Sequence, residues 1–280
     1  MKLSEAFDMY INDYIYFQHR SRSLEQHYGF YRNSIVKCLD NKPIEKLTLD
    51  DVRTWESYLY QGRCQNTVRS YVGGLKQVLK YTQLRGVECL NPSFINVPAR
   101  IPVTVSYVTP EEVRLMIDST QSTRTKFLLS LLYASGCRIS EVISLNRDSI
   151  HGRQFTVIGK GRKERICFID ERTEQLMQQY LATRDDYSDA LFVSNMFKER
   201  ISVSTAQLIV RNAVKSAGIT NKHISPHTFR HGHATNLIKN GADIRFVAED
   251  LGHANLSTTM IYTHIENPDL RRKYELCHTI

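Results

Sequence analysis

The chain has no apolar run near the roughly 18–20 residues that a membrane-crossing helix needs. Its opening, Met1-Lys2-Leu3-Ser4-Glu5, lacks the basic-then-apolar pattern of a secretory leader. No Cys-x-x-Cys pair occurs among Cys38, Cys64, Cys89, Cys137, Cys167 and Cys277. Zinc-ligand spacing is therefore missing, and free thiols in a reducing compartment are the simpler reading. There is no internal repeat and no low-complexity tract. These absences lead to the expectation of a soluble, cytoplasmic protein with no membrane partner, no metal and no cofactor.

What is present is an ordinary core-forming composition over 280 residues, 41% of them hydrophobic, enough for two domains. The charge is less ordinary. The formal net charge is +8, which favours a polyanionic partner, nucleic acid first. The excess is shared evenly: residues 1–100 carry 14 Lys+Arg against 10 Asp+Glu, and the remainder carries 23 against 19. Both halves can face the same polyanion.

Periodicity predicts helices through the first hundred residues. Leu3, Phe7, Tyr10, Ile11, Tyr14 and Phe17 recur near helical spacing, and Tyr28, Tyr31 and Ile35 mark a second stripe from about 24 to 39. Thr48 caps a helix carrying Val52, Trp55 and Leu59, and residues 67–84 form the longest run. On that run Arg69, Lys76 and Lys80 lie on the exposed side, where a basic chain can place phosphate contacts. Asn91-Pro92 stops the helices, and residues 96–108 read as a linker. Thr109-Pro110-Glu111-Glu112 then opens a new helix, with Thr at the cap and Pro at the first position.

The second half reads as mostly helical with a small sheet. Residues 126–134 form an apolar central helix, and another begins near Ile139. Two short β-rich runs, 155–158 and 165–169, flank the turn Gly159-Lys160-Gly161-Arg162-Lys163 and predict a hairpin. Helices follow at about 171–184, 204–217, 227–240, 244–251 and 257–264, with a helical tail at 268–278. The expected fold class is mainly α with a small antiparallel β-sheet, in two domains.

Six residues of this half carry a possible chemistry. Breaking a phosphodiester without metal needs cations on the non-bridging oxygens, an in-line nucleophile and a proton for the leaving oxygen. Arg138 and Arg230 suit the first task, because arginine stays charged and binds phosphate bidentately. Lys160, at the tip of a glycine-bounded turn, suits the last as general acid. His227 and His253 can donate to phosphate or move a proton. Tyr262 can attack once nearby cations favour its anion. Glu141, three residues after Arg138, is placed to orient it. Arg162, Lys163 and Arg165 are expected to hold backbone phosphates. His227 and His231 also stand at a zinc-compatible i,i+4 spacing, but the intervening Thr228-Phe229-Arg230 offers no carboxylate.

The phrases holding these residues are Ala134-Ser135-Gly136-Cys137-Arg138-Ile139-Ser140-Glu141, Gly159-Lys160-Gly161, His227-Thr228-Phe229-Arg230-His231, Leu251-Gly252-His253 and Thr258-Thr259-Met260-Ile261-Tyr262. In this order they resemble the tyrosine recombinase, or phage integrase, family, most closely its compact Xer-type members. The resemblance implies a helical core-binding domain of the SAM-like kind at 1–95, a linker at 96–108, a catalytic domain at 109–265 and a protomer-exchange tail at 266–280. It implies a 3′-phosphotyrosyl intermediate at Tyr262, phosphate binding by Arg138, His227, Arg230 and His253, and Lys160 as general acid. Implied partners are double-stranded DNA bearing a specific recombination site and three further protomers, in a homo-tetramer on paired sites. A second recombinase or an accessory DNA-bending protein is compatible with that scheme.

The chain departs from the family pattern at Ala248-Glu249-Asp250, where Asp250 replaces a usually apolar residue. It departs again at Phe229, where Leu is common, and at Gly232-His233, where a small residue and Phe are common. No catalytic group is lost. These departures lean away from the housekeeping Xer pair and toward a recombinase of a mobile element or phage. The expectation of no extra N-terminal arm-binding domain leans away from the larger lambda-like integrases. A type IB topoisomerase-like relaxing enzyme and a DNA-binding module without catalysis are the competing readings.

Overall fold

A computed structural model of the chain describes residues 1–16, 22–102, 106–159, 163–252 and 259. The chain forms two compact units, Met1–Val103 and Thr104–Ile280, dividing within the stretch 96–108.

The first unit is helical. Helix α1 (Leu3–Tyr10) runs on into a π-helical turn (Ile11–Tyr16), and α2 (Arg22–Cys38), α3 (Leu49–Tyr60) and α4 (Gln65–Leu84) follow. Leu3, Ala6, Phe7 and Tyr10 bury one face of α1, the three-to-four spacing of an amphipathic helix. Helix α3 begins where Thr48 was expected to cap it. Thr48 Oγ1 accepts from the Asp51 amide, while the Asp51 carboxylate accepts from the Thr48 amide. Losing such a cap typically costs about 1 kcal/mol. Trp55 is fully buried, and its Nε1 donates to Ser34 Oγ at 3.1 Å. Helices α2 and α4 approach closely at Gly74, where an added Cβ would lie 2.4 Å from the Tyr31 ring.

The second unit is built around α6 (Thr123–Ser135), against which α5 (Pro110–Asp118), α8 (Glu171–Ala182) and α10 (Pro226–Lys239) pack. Phe127, Leu128, Leu129, Leu131 and Leu132 are all fully buried, as expected of a helix apolar around its circumference. Thr109 caps α5 through a capping box with Glu112, and Pro110 occupies the first turn. Helix α7 (Ile139–Ser144) leads to strands β1 (Gln154–Ile158) and β2 (Glu164–Phe168), which pair antiparallel with Phe155 opposite Cys167 and Val157 opposite Arg165. Helices α9 (Val203–Ser216) and α11 (Ile244–Leu251) complete the unit, α11 lying against α10 and β2.

The expected fold class, mostly helical with one small antiparallel hairpin, is the observed one. The expected helix at 257–264, apart from Thr259, the helix at 268–278 and the tail at 266–280 lie outside the described residues. No helix among the described residues is long and apolar enough to cross a membrane.

Candidate active site

Helix α6 ends at Gly136, whose left-handed φ of 58° turns the chain so that Arg138 becomes the N-cap of α7. One carboxylate organises this corner. Glu141 Oε2 accepts from the Arg138 amide at 2.7 Å, and Oε1 accepts from Arg138 Nη1 at 2.8 Å. Arg165 reaches across from β2 and donates to both oxygens, at 3.1 and 2.7 Å. Burial pushes the Glu141 carboxyl upward. Hydrogen bonds from Arg165 and from the backbone and side chain of Arg138 overcome it and hold the pKa at about 2. The Arg138 side chain remains 33% exposed, against 8% for Arg165.

Arg165, expected to hold a backbone phosphate, is here paired with Glu141. Its charge is committed to a buried carboxylate, the pairing a buried cation requires. Its stem also packs on the end of α11: a Cβ at Gly252, φ 63°, would stand 3.1 Å from Arg165 Cδ. Beside it, Cys137 and Cys167 are buried free thiols with Sγ atoms 3.3 Å apart.

Arg230 lies on α10 and is 5% exposed. Its Nη1 donates to the carbonyl of Gly136 at 2.8 Å, and its Nη2 donates to the carbonyl of Leu251. The ends of α6, α10 and α11 thus meet at one guanidinium, and the Gly136 contact sets it two residues from Arg138. His227 is exposed, one turn before Arg230 on the same helix. His231 behaves differently: burial first, then the positive fields of His227 and Arg230, lower its pKa to about 4. It stays neutral near pH 7. Among the described residues no cluster of His, Cys, Asp or Glu is arranged to hold a metal.

The other expected site residues divide into three groups. Lys160, Arg162, His253 and Tyr262 lie outside the described residues. Lys163 and Lys80 are exposed. Arg69, exposed, and Lys76, half-buried, each donate to a carbonyl of their own unit. Arg69 Nη1 donates to the Pro98 carbonyl at 2.6 Å, and Lys76 Nζ to the Ile95 carbonyl at 2.8 Å. The irregular stretch after α4 has carbonyls without ladder partners, and these two side chains satisfy them.

Sequence reasoning missed one arrangement. His233 and Asp250, read separately as departures from the family pattern, are partners: His233 Nε2 lies 2.9 Å from Asp250 Oδ2. Two unexpected polar residues arising together were the available signal.

A model of the Phage integrase family matches residues 106–268. The chain is 30% identical over 250 residues to tyrosine recombinase XerD of Rickettsia bellii, covering 81% of this chain and 82% of that protein. It is 34% identical over 228 residues to tyrosine recombinase XerC of Histophilus somni, covering 78% and 77%. Among solved structures it is similar in fold to a lambda integrase tetramer bound to a Holliday junction, with a TM-score of 0.78, 14% identity and coverage of 91% and 78%. The Tn1549 transposon integrase in complex with a circular intermediate DNA matches with a TM-score of 0.78, 17% identity and coverage of 99% and 100%.

Proposed function

We propose a reaction from one premise: the chain belongs to the phage integrase family, the tyrosine recombinases, enzymes that cleave and rejoin DNA through a tyrosine intermediate. Tyr262 attacks a backbone phosphate of duplex DNA, forming a 3′-phosphotyrosyl bond and releasing a 5′-hydroxyl. Arg138 and Arg230, with His227 and His253, meet the charge that develops on the non-bridging oxygens. Lys160 protonates the leaving oxygen. Glu141 holds Arg138 in place. The phosphotyrosine retains the energy of the broken bond, so a 5′-hydroxyl from another strand can displace Tyr262 and complete the exchange.

The observation that carries this reading is the 2.8 Å hydrogen bond from Arg230 to the Gly136 carbonyl, which ties Arg230 to the turn that leads into Arg138. A pure DNA-binding module needs no such convergence of a buried and a half-exposed arginine. The substrate is duplex DNA with a defined site, exchanged by four protomers on paired sites, with residues 266–280 as the segment passed between protomers. Residues 1–95 supply the second DNA-binding surface, to which the exposed Lys80 contributes, and Lys163 contacts backbone beside the scissile site.

For the biological role, the departures at Phe229, Gly232-His233 and Asp250 favour a recombinase serving a mobile element or phage. A housekeeping Xer-type resolvase is the second reading, favoured by the names of the relatives at 30–34% identity.

A nicked suicide duplex tests the chemistry. The native chain forms a covalent adduct, whereas Tyr262→Phe forms none and binds duplex nearly as well. An adduct surviving in that variant means another residue attacks. A supercoiled plasmid carrying paired sites from DNA flanking the gene separates site-specific exchange from topoisomerase-like relaxation. Recombination only with paired sites supports the proposal, and relaxation without them supports a topoisomerase-like enzyme.

A further inference from the structure

His233 stands one turn beyond Arg230 on α10. Its Nδ1 lies 2.9 Å from the carbonyl oxygen of Tyr133 on α6, and its Nε2 lies 2.9 Å from Oδ2 of Asp250 on α11. The His233 and Asp250 side chains are each 11% exposed. A carbonyl oxygen only accepts, so Nδ1 carries hydrogen and donates. The contact to Asp250 holds a second hydrogen, on the ring nitrogen or on the carboxyl. Either way the imidazole bridges two helix ends.

The bridged residues adjoin two carbonyls that accept from Arg230. Tyr133 lies in the last turn of α6, just before Gly136, and Asp250 directly precedes Leu251. The ring itself covers Gly136: a Cβ there would fall 2.5 Å from His233 Cδ2 and 3.1 Å from Leu251 Cδ2. Among the described residues, the apolar packing at this junction is a small cluster: Ala234, Val247 and Leu251, with Leu237, Ile238 and Ala242 against them, apart from the main core of the unit. The polar bridge ties α11 to α6 through one side chain of α10.

We propose that His233 and Asp250 are a positioning pair, fixing the Gly136 and Leu251 carbonyls that aim Arg230 at the scissile phosphate. This rests on the reading of Arg230 as a phosphate clamp. The pair touches no substrate; it acts through the backbone acceptors of the clamp.

The test is the single-turnover cleavage rate on a nicked suicide duplex at saturating enzyme, with duplex affinity and melting temperature measured beside it. Asp250→Leu and His233→Phe should each slow cleavage about tenfold, a mid-range coupling for residues in one network, with affinity within about threefold. The double variant H233F/D250L should be no slower than the slower single, because the two act as one unit. Asp250→Asn, whose amide can donate N–H to Nε2 of the neutral ring, should recover most of the rate lost in Asp250→Leu. Leu237→Ala, in the same apolar cluster, should lower the melting temperature and keep the rate.

Single variants that cleave within about twofold of the native chain overturn the proposal, as do losses that multiply in the double variant. So does a Leu237→Ala variant that loses rate in step with melting temperature, since that makes the pair merely structural. Should a single variant fail to fold, the double variant and Asp250→Asn still decide, because an apolar pair often replaces a buried polar one without loss of stability. A native chain that forms no adduct at all overturns the reading of the active site instead, and is distinguished by that.

Discussion

Arg138 stands one-third exposed with a carboxylate for a partner, whereas Arg230 is buried and donates to two backbone carbonyls. The α7–β2 corner places Arg138, Arg165 and Glu141 together, two cations on one anion. The α10–α11 corner aims Arg230 with the termini of neighbouring helices. Charge holds the first arginine; the relative placement of helix ends holds the second. The two halves of the site should accordingly fail in different ways, the first to loss of a charge partner, the second to changes of packing and geometry.

The largest effect should come from replacing either arginine by Ala: if both act as the transition-state donors proposed above, each change should slow single-turnover cleavage at least roughly a hundredfold. Lysine substitutions then sharpen the comparison. Arg230→Lys cannot reproduce a forked contact to two carbonyls and should cost nearly as much, whereas Arg138→Lys can still pair with Glu141 and should cost about tenfold. Equal penalties for the two lysine variants would erase the distinction between the corners.

Next comes Glu141→Ala, which leaves two guanidinium groups facing each other. Removing one partner of a buried pair typically costs about 3–5 kcal/mol, measurable by denaturant unfolding. A loss below about 1 kcal/mol would place this pair with exposed ones.

The pH dependence of melting separates the corners further. Glu141 has a folded pKa of about 2 against an ordinary 4.5. A depressed carboxyl stabilises the fold above pH 4.5, and that contribution is lost as pH falls from 4.5 toward 2. His231 has a folded pKa of about 4 against an ordinary 6.5, so the fold holds fewer protons there than the unfolded chain. Stability should fall as pH drops from 6.5 toward 4, and His231→Gln should flatten that limb while leaving the lower one. A profile unchanged in His231→Gln would contradict the assignment.

The smallest effect lies in the helical unit. Lys80→Met should reduce the salt slope of duplex binding by about 0.9, the value of one phosphate contact, and Lys76→Met should leave it unchanged. A reduced slope in Lys76→Met would restore that lysine to the DNA contacts.

Much of the fold was legible because burial in this chain follows regular spacing. Trp55 and Leu59 fall one turn apart on α3, Thr109-Pro110 marks the start of α5, and the alternation in Phe155-Thr156-Val157 marks a strand. The π-helical turn after Tyr10 was not legible, since its apolar spacing is close to that of the helix it extends. At the site, Arg138 and Glu141 could be paired from sequence because a cap and its third residue are local neighbours. The engagement of Arg165 with Glu141 could not, because it depends on how β2 lies against α7. The partnership of His233 with Asp250 depends on α10 meeting α11. An exposed-looking basic residue such as Lys76 reads the same in sequence whether it faces solvent or a carbonyl of a distant loop.

The most direct measurement replaces the scissile phosphate by a methylphosphonate, which removes one negative charge and leaves the rest of the duplex intact. If Arg138 and Arg230 both grip that phosphate, the cleavage penalties of Arg138→Ala and Arg230→Ala should shrink sharply on the neutral linkage. Penalties as large on the methylphosphonate as on the ordinary phosphate would show that the two arginines act elsewhere, and would contradict the account.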